Sequence, residues 1–302
     1  KIVGNEAELR VVENVRPTLE DEYLADAQRT LGALFTERKL NSLPGLTALQ
    51  QWTRVPIDPT AQAFGRLIQY LWHLGDPERG VLGIDVGAAN TTVAAVFDET
   101  LHLTIHSGLG ARFGGERLLD NENSESITRW LPERLSRDEV RGLLIQKASY
   151  PTSIPQVERE LWLDHALARE AIREALEIAR PGWQAKTAQP YPELTPLCDT
   201  IVVGGGVLAQ APHGGQAALI LLDALQPIGI STLVLDRYGL TPVLGNVARV
   251  KPVAAVEALD AGGLTNLGTV VAPVGEARPG DRVMAMTVRY DNGSELDVDV
   301  RY

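Results

Sequence analysis

Apolar residues recur along this chain with two periods, and the period changes where the predicted elements change. Over residues 20–35, Leu24, Ala27, Leu31 and Leu34 fall at helical spacing. Over residues 60–73, Phe64, Leu67, Ile68 and Leu71 share one helix face, and Asp58-Pro59 supplies a start signal. Residues 81–84 and 93–97 are continuous apolar runs short enough for buried strands. Between them lie Asp85, Val86, Gly87, Ala88, Ala89, Asn90, Thr91 and Thr92, so the two runs read as a strand–turn–strand hairpin. Residues 102–106 read as a third strand, followed by a glycine-rich segment over 107–115. Helical spacing returns over 121–130, 136–149 and, most strongly, 155–180. In the last of these, Val157, Leu161, His165, Ala168, Ile172, Leu176 and Ala179 form an apolar face. Arg169, Glu170, Arg173, Glu174 and Glu177 lie mostly on a solvated one. Ser136 and Glu139 have capping-box spacing.

Residues 181–196 contain Pro181, Pro190, Pro192 and Pro196 and read as a loop. A strand over 200–203 runs into Gly204, Gly205 and Gly206. A helix over 214–225, a strand over 231–235 and a helix opening at Pro242 follow. Near the end, residues 283–290 and 294–302 alternate polar and apolar around Asp291-Asn292-Gly293, a type I′ hairpin signal. A lone hairpin is marginally stable, so more β-structure is expected to follow it in a longer protein. The pattern divides the chain into a helical segment over 1–80, an α/β lobe over 81–265 and a β-rich tail over 266–302.

Composition narrows the options. The chain is 44% hydrophobic and 22% charged, as globular proteins are. A formal net charge of −11 argues against nucleic acid or an anionic membrane as a general partner. No apolar run is long enough for a membrane span, so a cytoplasmic protein is expected. Cys198 is the sole cysteine, which excludes an intramolecular disulfide and fits a buried thiol. His102 and His106 lack an acid partner and make no metal site, and His165 reads as a hydrogen-bonded core residue.

The chemistry gathers at the hairpin. Asp85 stands at a strand end, and Gly87, Ala88 and Ala89 keep side chains away from the turn, so backbone N–H groups can approach an anion. Thr91 and Thr92 add hydroxyls. The second feature is the strand running into Gly204-Gly205-Gly206, which brings bare backbone beside a flat ligand. The plainer readings are that Asp85 caps a turn, and that Gly108, Gly110, Gly114 and Gly115 form a loop with no ligand.

Taken together, the two features resemble the nucleotide site of the actin, heat-shock-chaperone and sugar-kinase superfamily. There, phosphate loops are D-x-G hairpins and the adenosine loop is a Gly-Gly turn. Residues 11–20 (VVENVRPTLE), 151–174, 201–227 and 264–275 further resemble the MutL/GlmL family, which accompanies adenosylcobalamin-dependent glutamate mutase and related aminomutases. The resemblance implies an α/β, actin-like (ribonuclease-H-like) ATPase lobe with a helical N-terminal segment and a small β-rich tail. It implies ATP and Mg²⁺ as ligands: Asp85 holding the metal through water, Gly87, Ala88 and Thr91 at phosphate, and Gly204, Gly205, Gly206 and Val207 lining adenosine. It also implies a chaperone or reactivating role, with a cobalamin-dependent mutase subunit as partner.

Two departures qualify it. Asn90 and Thr92 stand where the family pattern has a threonine and a second aspartate, which weakens metal handling and favours an alternative, a non-catalytic scaffold keeping the fold. Upstream, Gly4, Gly32, Gly45, Gly65, Gly75 and Gly80 have no D-x-G context, so the hairpin corresponds to the second of two phosphate loops. The chain is therefore expected to be the C-terminal lobe of a two-lobed protein, holding half a site and inactive alone. No catalytic residue is nominated.

Overall fold

A computed structural model describes residues 8–19, 23–53, 55–111, 124–132, 135–150, 152–183 and 191–302. Its centre is a six-stranded sheet: β1 (Gly80–Val86), β2 (Asn90–Phe97), β3 (Thr100–Ser107), β4 (Cys198–Gly204), β5 (Gly229–Leu235) and β6 (Thr265–Ala272), in the order β3-β2-β1-β4-β5-β6. β1, β4 and β5 are parallel, while β2 and β3 run antiparallel to their neighbours. These orders and directions are those of an actin-like, ribonuclease-H-like core. β6 adds an antiparallel edge next to β5, so the sheet extends past residue 265.

The alternation of strand residues explains the layering, since successive side chains point to opposite faces. Val81, Ala94, Val96 and Val202 face α3 (Thr60–Leu74), where Phe64, Ile68 and Trp72 cover them. Leu82, Ile84, Val93, Ala95, Ile201 and Val203 face the other way, against α6 (Glu158–Ala179) and α8 (Gly214–Leu225). Cys198 is buried on this side, and burial pushes its thiol up to about 12. Helix α9 (Thr241–Val250) crosses α3 at very close range: a Cβ on Gly245 would lie 1.9 Å from the Ala63 carbonyl oxygen, so only glycine fits. Short helices α4 (Ser124–Thr128) and α5 (Arg137–Ser149) pack on the remaining side of α6 through Ile127, Val140, Leu144, Leu163 and Leu167. Helices α1 (Ala25–Phe35) and α2 (Leu46–Trp52) precede α3, α7 (Gly206–Ala209) follows β4, and α10 (Pro252–Ala258) follows α9. Among the described residues, no helix is long and apolar enough to cross a membrane.

Several expectations are corrected. The longest helix starts at Glu158 rather than 155, because Val157 is extended (φ −134°, ψ 157°) and exposed. Glu170, placed by periodicity on the solvated face, is buried: α4 and its flanking residues cover that side of α6. His165 is buried, but among the described residues its Nε2 has no hydrogen-bond partner. The tail strands β7 (Arg282–Arg289) and β8 (Glu295–Arg301) do form a separate hairpin. Its turn is not type I′, however: of residues 291–293 only Gly293 has positive φ (82°), and the Gly293 N–H donates to the Tyr290 carbonyl. That is a type I turn closed by a left-handed glycine. The described turn with both central residues at positive φ is Asp98-Glu99 (φ 50° and 63°), joining β2 to β3 without a glycine. Residues 20–22 of the first predicted helix, 112–115 of the glycine-rich segment, 121–123 of another predicted helix and 184–190 of the proline-rich loop lie outside the described residues.

Candidate functional site

Parallel strands in an open sheet end on one edge, and ligands bind beyond their carboxyl ends. Here β1 ends at Asp85-Val86, β4 at Gly204 and β5 at Leu235, followed by Asp236. The register pairs Asp85 with Gly204 on one side and with Thr92 on the other. Asp236 continues the edge, its N–H donating to the Val203 carbonyl (2.7 Å). Two carboxylates therefore flank Gly204. A Cβ on that glycine would stand 3.3 Å from Asp85 Oδ1 and 3.7 Å from Asp236 Cβ. The missing side chain leaves the floor between the acids bare.

The two acids differ. Asp236 is buried, and its oxygens accept from the backbone N–H groups of Leu240 (2.8 Å) and Thr241 (2.7 Å), holding the start of α9. Asp85 is half-buried. Burial, and then the nearby charge of Asp236, pushes its carboxyl above the usual range. Both effects penalise its charged form, and a cation bound there would relieve them. Among the described residues, no three acids, histidines or cysteines cluster as a metal site, so a cation at Asp85 would draw its remaining ligands from water and from its own anion.

The hairpin tip is shaped by the segment behind it. Gly87 N–H donates to the Asn90 carbonyl (2.9 Å), while Gly108 and Ala111 donate to the carbonyls of Ala89 (3.0 Å) and Gly87 (3.1 Å). Among the described residues the N–H groups of Ala88 and Ala89 have no acceptor, and both residues are exposed. The carbonyls of Gly87 and Ala89 are held from behind, and the amides of Ala88 and Ala89 are open. Thr91 is fully buried and its hydroxyl donates to the Leu109 carbonyl (2.5 Å), so this side chain braces the hairpin.

At the end of β4, Gly205 has φ 108°, and a Cβ there would fall 2.1 Å from the Val86 carbonyl oxygen. No other residue fits so close to β1. Gly206 is exposed with open space around it, and Val207 is half-buried and packs on the core. The structure thus brings Asp85, Gly87, Ala88, Gly204, Gly205 and Gly206 to one edge, and turns the side chains of Thr91 and Val207 toward packing. Asp236 escaped the sequence reading. Its signal was present: like Asp85, it ends an apolar strand run and precedes a turn with a glycine.

A family model described as MutL protein matches residues 1–261 of this chain. Comparison with curated proteins finds no match. Among solved structures, an archaeal actin homologue is 14% identical with a TM-score of 0.33, the alignment covering 63% of this chain and 55% of that one. The activator of 2-hydroxyisocaproyl-CoA dehydratase from Clostridium difficile, solved with bound ADPNP, is 13% identical with a TM-score of 0.37, covering 76% of this chain and 85% of that one. Strand order and direction mark the fold, and the match over residues 1–261 marks the family.

Proposed function

This chain belongs to the MutL protein family, and on that premise we propose that it is a nucleotide-binding activator lobe whose ligand is Mg²⁺ with ATP or ADP. One observation carries the reading: the register sets Asp85 beside Gly204, with Asp236 across it and the open amides of the hairpin tip alongside. The half-buried carboxylate takes the cation, through water. The open N–H groups of Ala88 and Ala89 face the phosphates, while the Gly87 N–H, bonded to the Asn90 carbonyl, and the Thr91 hydroxyl fix the turn that presents them. Gly204, Gly205, Gly206 and Val207 offer their backbone to adenosine, with the Val207 side chain packed on the core behind it. The bound group supplies phosphoanhydride chemistry, and this chain's residues bind and orient it. The partner we infer is a cobalamin-dependent mutase subunit, on which the lobe acts as chaperone or reactivating factor in the cytoplasm.

A second reading, a scaffold with the fold and no turnover, is favoured by one feature. Thr92, paired directly across from Asp85, is no carboxylate. Calorimetric titration of residues 1–302 with Mg-ADP and Mg-ATP, alongside a hydrolysis assay, separates the two. The nucleotide reading requires weak, saturable binding that falls at least tenfold in Asp85→Ala. Absence of binding to the wild-type lobe and to any longer form leaves the scaffold reading. Robust hydrolysis by residues 1–302 alone would refute the half-site idea.

A further inference from the structure

A cavity of about 160 Å³ opens between α3 and α9, lined by Arg66, Gln69, Tyr70, His73, Ala248 and Arg249. It lies toward the other end of α9 from Asp236: eight residues separate Thr241 from Arg249, roughly 12 Å along a helix axis. Among the described residues no carboxylate lines it, on a chain whose net charge is −11. The nearest acid on its arginines is Asp58. A single oxygen of that acid, Oδ2, accepts from both Arg66 (2.8 Å) and Arg249 (2.9 Å). Arg66 also donates to Asn246 Oδ1 (2.7 Å). Two guanidiniums therefore share one negative charge, and most of their N–H groups remain for another acceptor. The Tyr70 hydroxyl spends its O–H on the Pro252 carbonyl (2.9 Å), which fixes the ring as a wall of the cavity.

We propose that this cavity is an oxyanion site for a small phosphate-class ligand, distinct from the edge of the sheet at Asp85. The volume exceeds what a single water fills several-fold. The choice of phosphate over carboxylate follows from geometry. Arg66 and Arg249 approach from different helices, and Asp58 already shows how little of that arrangement one planar carboxylate occupies. A tetrahedral anion presents oxygens in several directions and accepts from both forks at once. Bound there, it would tie α3 to α9 beside the contact made by Gly245.

The test is an NMR and calorimetric titration of the full chain with inorganic pyrophosphate, free of Mg²⁺ and at low ionic strength. Saturable shifts are expected at the amides of Tyr70, Ala248 and Arg249. Binding should weaken at least tenfold in Arg249→Gln. It should weaken by a smaller factor in Arg249→Lys, which keeps the charge but lacks the fork. Arg249 is surface-accessible, so neither change threatens the fold. The proposal is overturned if no saturable shift occurs at the cavity, if shifts appear only at the hairpin amides of Gly87 and Ala88, or if Arg249→Gln binds as tightly as wild type.

Discussion

Among the described residues, buried and half-buried acids gather in two regions that treat their charge in opposite ways. On α6, Glu170 is 1% exposed, yet its oxygens accept from Arg129 (2.7 Å), the Trp130 indole (2.6 Å) and Arg173 (2.9 Å). These partners outweigh burial and hold its carboxyl below the usual range. Nearby, Asp164 is paired with Lys147 (2.6 Å). At the sheet edge, Asp85 faces Asp236 instead, and burial and repulsion raise it. Burial of an acid is therefore no mark of function by itself. The informative case is the half-buried acid left with a like charge for a neighbour.

The comparison breaks first at Glu170. Replacing it with Ala leaves the Trp130 indole N–H without its acceptor and removes one partner from two half-exposed guanidiniums, of which Arg173 keeps Glu177, and should cost about 1–3 kcal/mol in a urea titration. Asp85→Ala removes an unpaired charge and should leave stability nearly unchanged or raise it, while abolishing nucleotide binding. If the two variants destabilise equally, the distinction between the regions is wrong.

His165 sharpens the contrast within α6. Burial, with the charge of Arg169, lowers its imidazole to about 4 from an ordinary 6.5. Between those values the unfolded chain takes up a proton that the native chain refuses. Its contribution is complete above pH 6.5 and is lost as pH falls toward 4, by at most about 1.4 kcal/mol per pH unit. Denaturation midpoints of wild type and His165→Leu, compared at pH 7 and pH 5, should show the variant losing less.

Asp236→Asn tests the sheet edge from its other acid. One of the two α9 amides loses its acceptor, which should cost about 1 kcal/mol and speed hydrogen exchange in the first turn of α9. With the repulsion gone, Asp85 should titrate lower. An unchanged Asp85 titration would sever the two carboxylates. The smallest effect expected is at the Asp98-Glu99 turn. Glu99→Gly relieves a positive φ and should stabilise by about 0.5–1 kcal/mol without touching either region.

Much of the fold was legible in periodicity. Phe64, Leu67 and Ile68 marked the helix that covers β1, and the ends of α8 and of the hairpin at Asp85 followed from punctuation by glycine and small residues. The pairing of Asp85 with Gly204 was inferable only from the likeness of two strand ends. What stayed hidden depends on contacts made by distant segments. Glu170 looks solvated on its own helix, because the Arg129-Trp130 cover comes from elsewhere in the chain. The short helices α2 and α10 bury little surface and leave little pattern. The turn at residues 291–293 showed its glycine but not which turn would use it. Asp236 does not stand out in the sequence, because a lone acid after a strand is common, and only the sheet places it across from Asp85.

The most direct test of the central claim is an amide-resolved NMR titration of residues 1–302 with Mg-ADP. The unpaired-acid reading predicts concerted, saturable shifts at Gly87, Ala88, Gly205 and Gly206, absent in Asp85→Ala and retained in a variant of the paired α6 region such as Arg173→Gln. Absence of shifts at both the hairpin tip and the end of β4, or shifts that persist undiminished in Asp85→Ala, would contradict it.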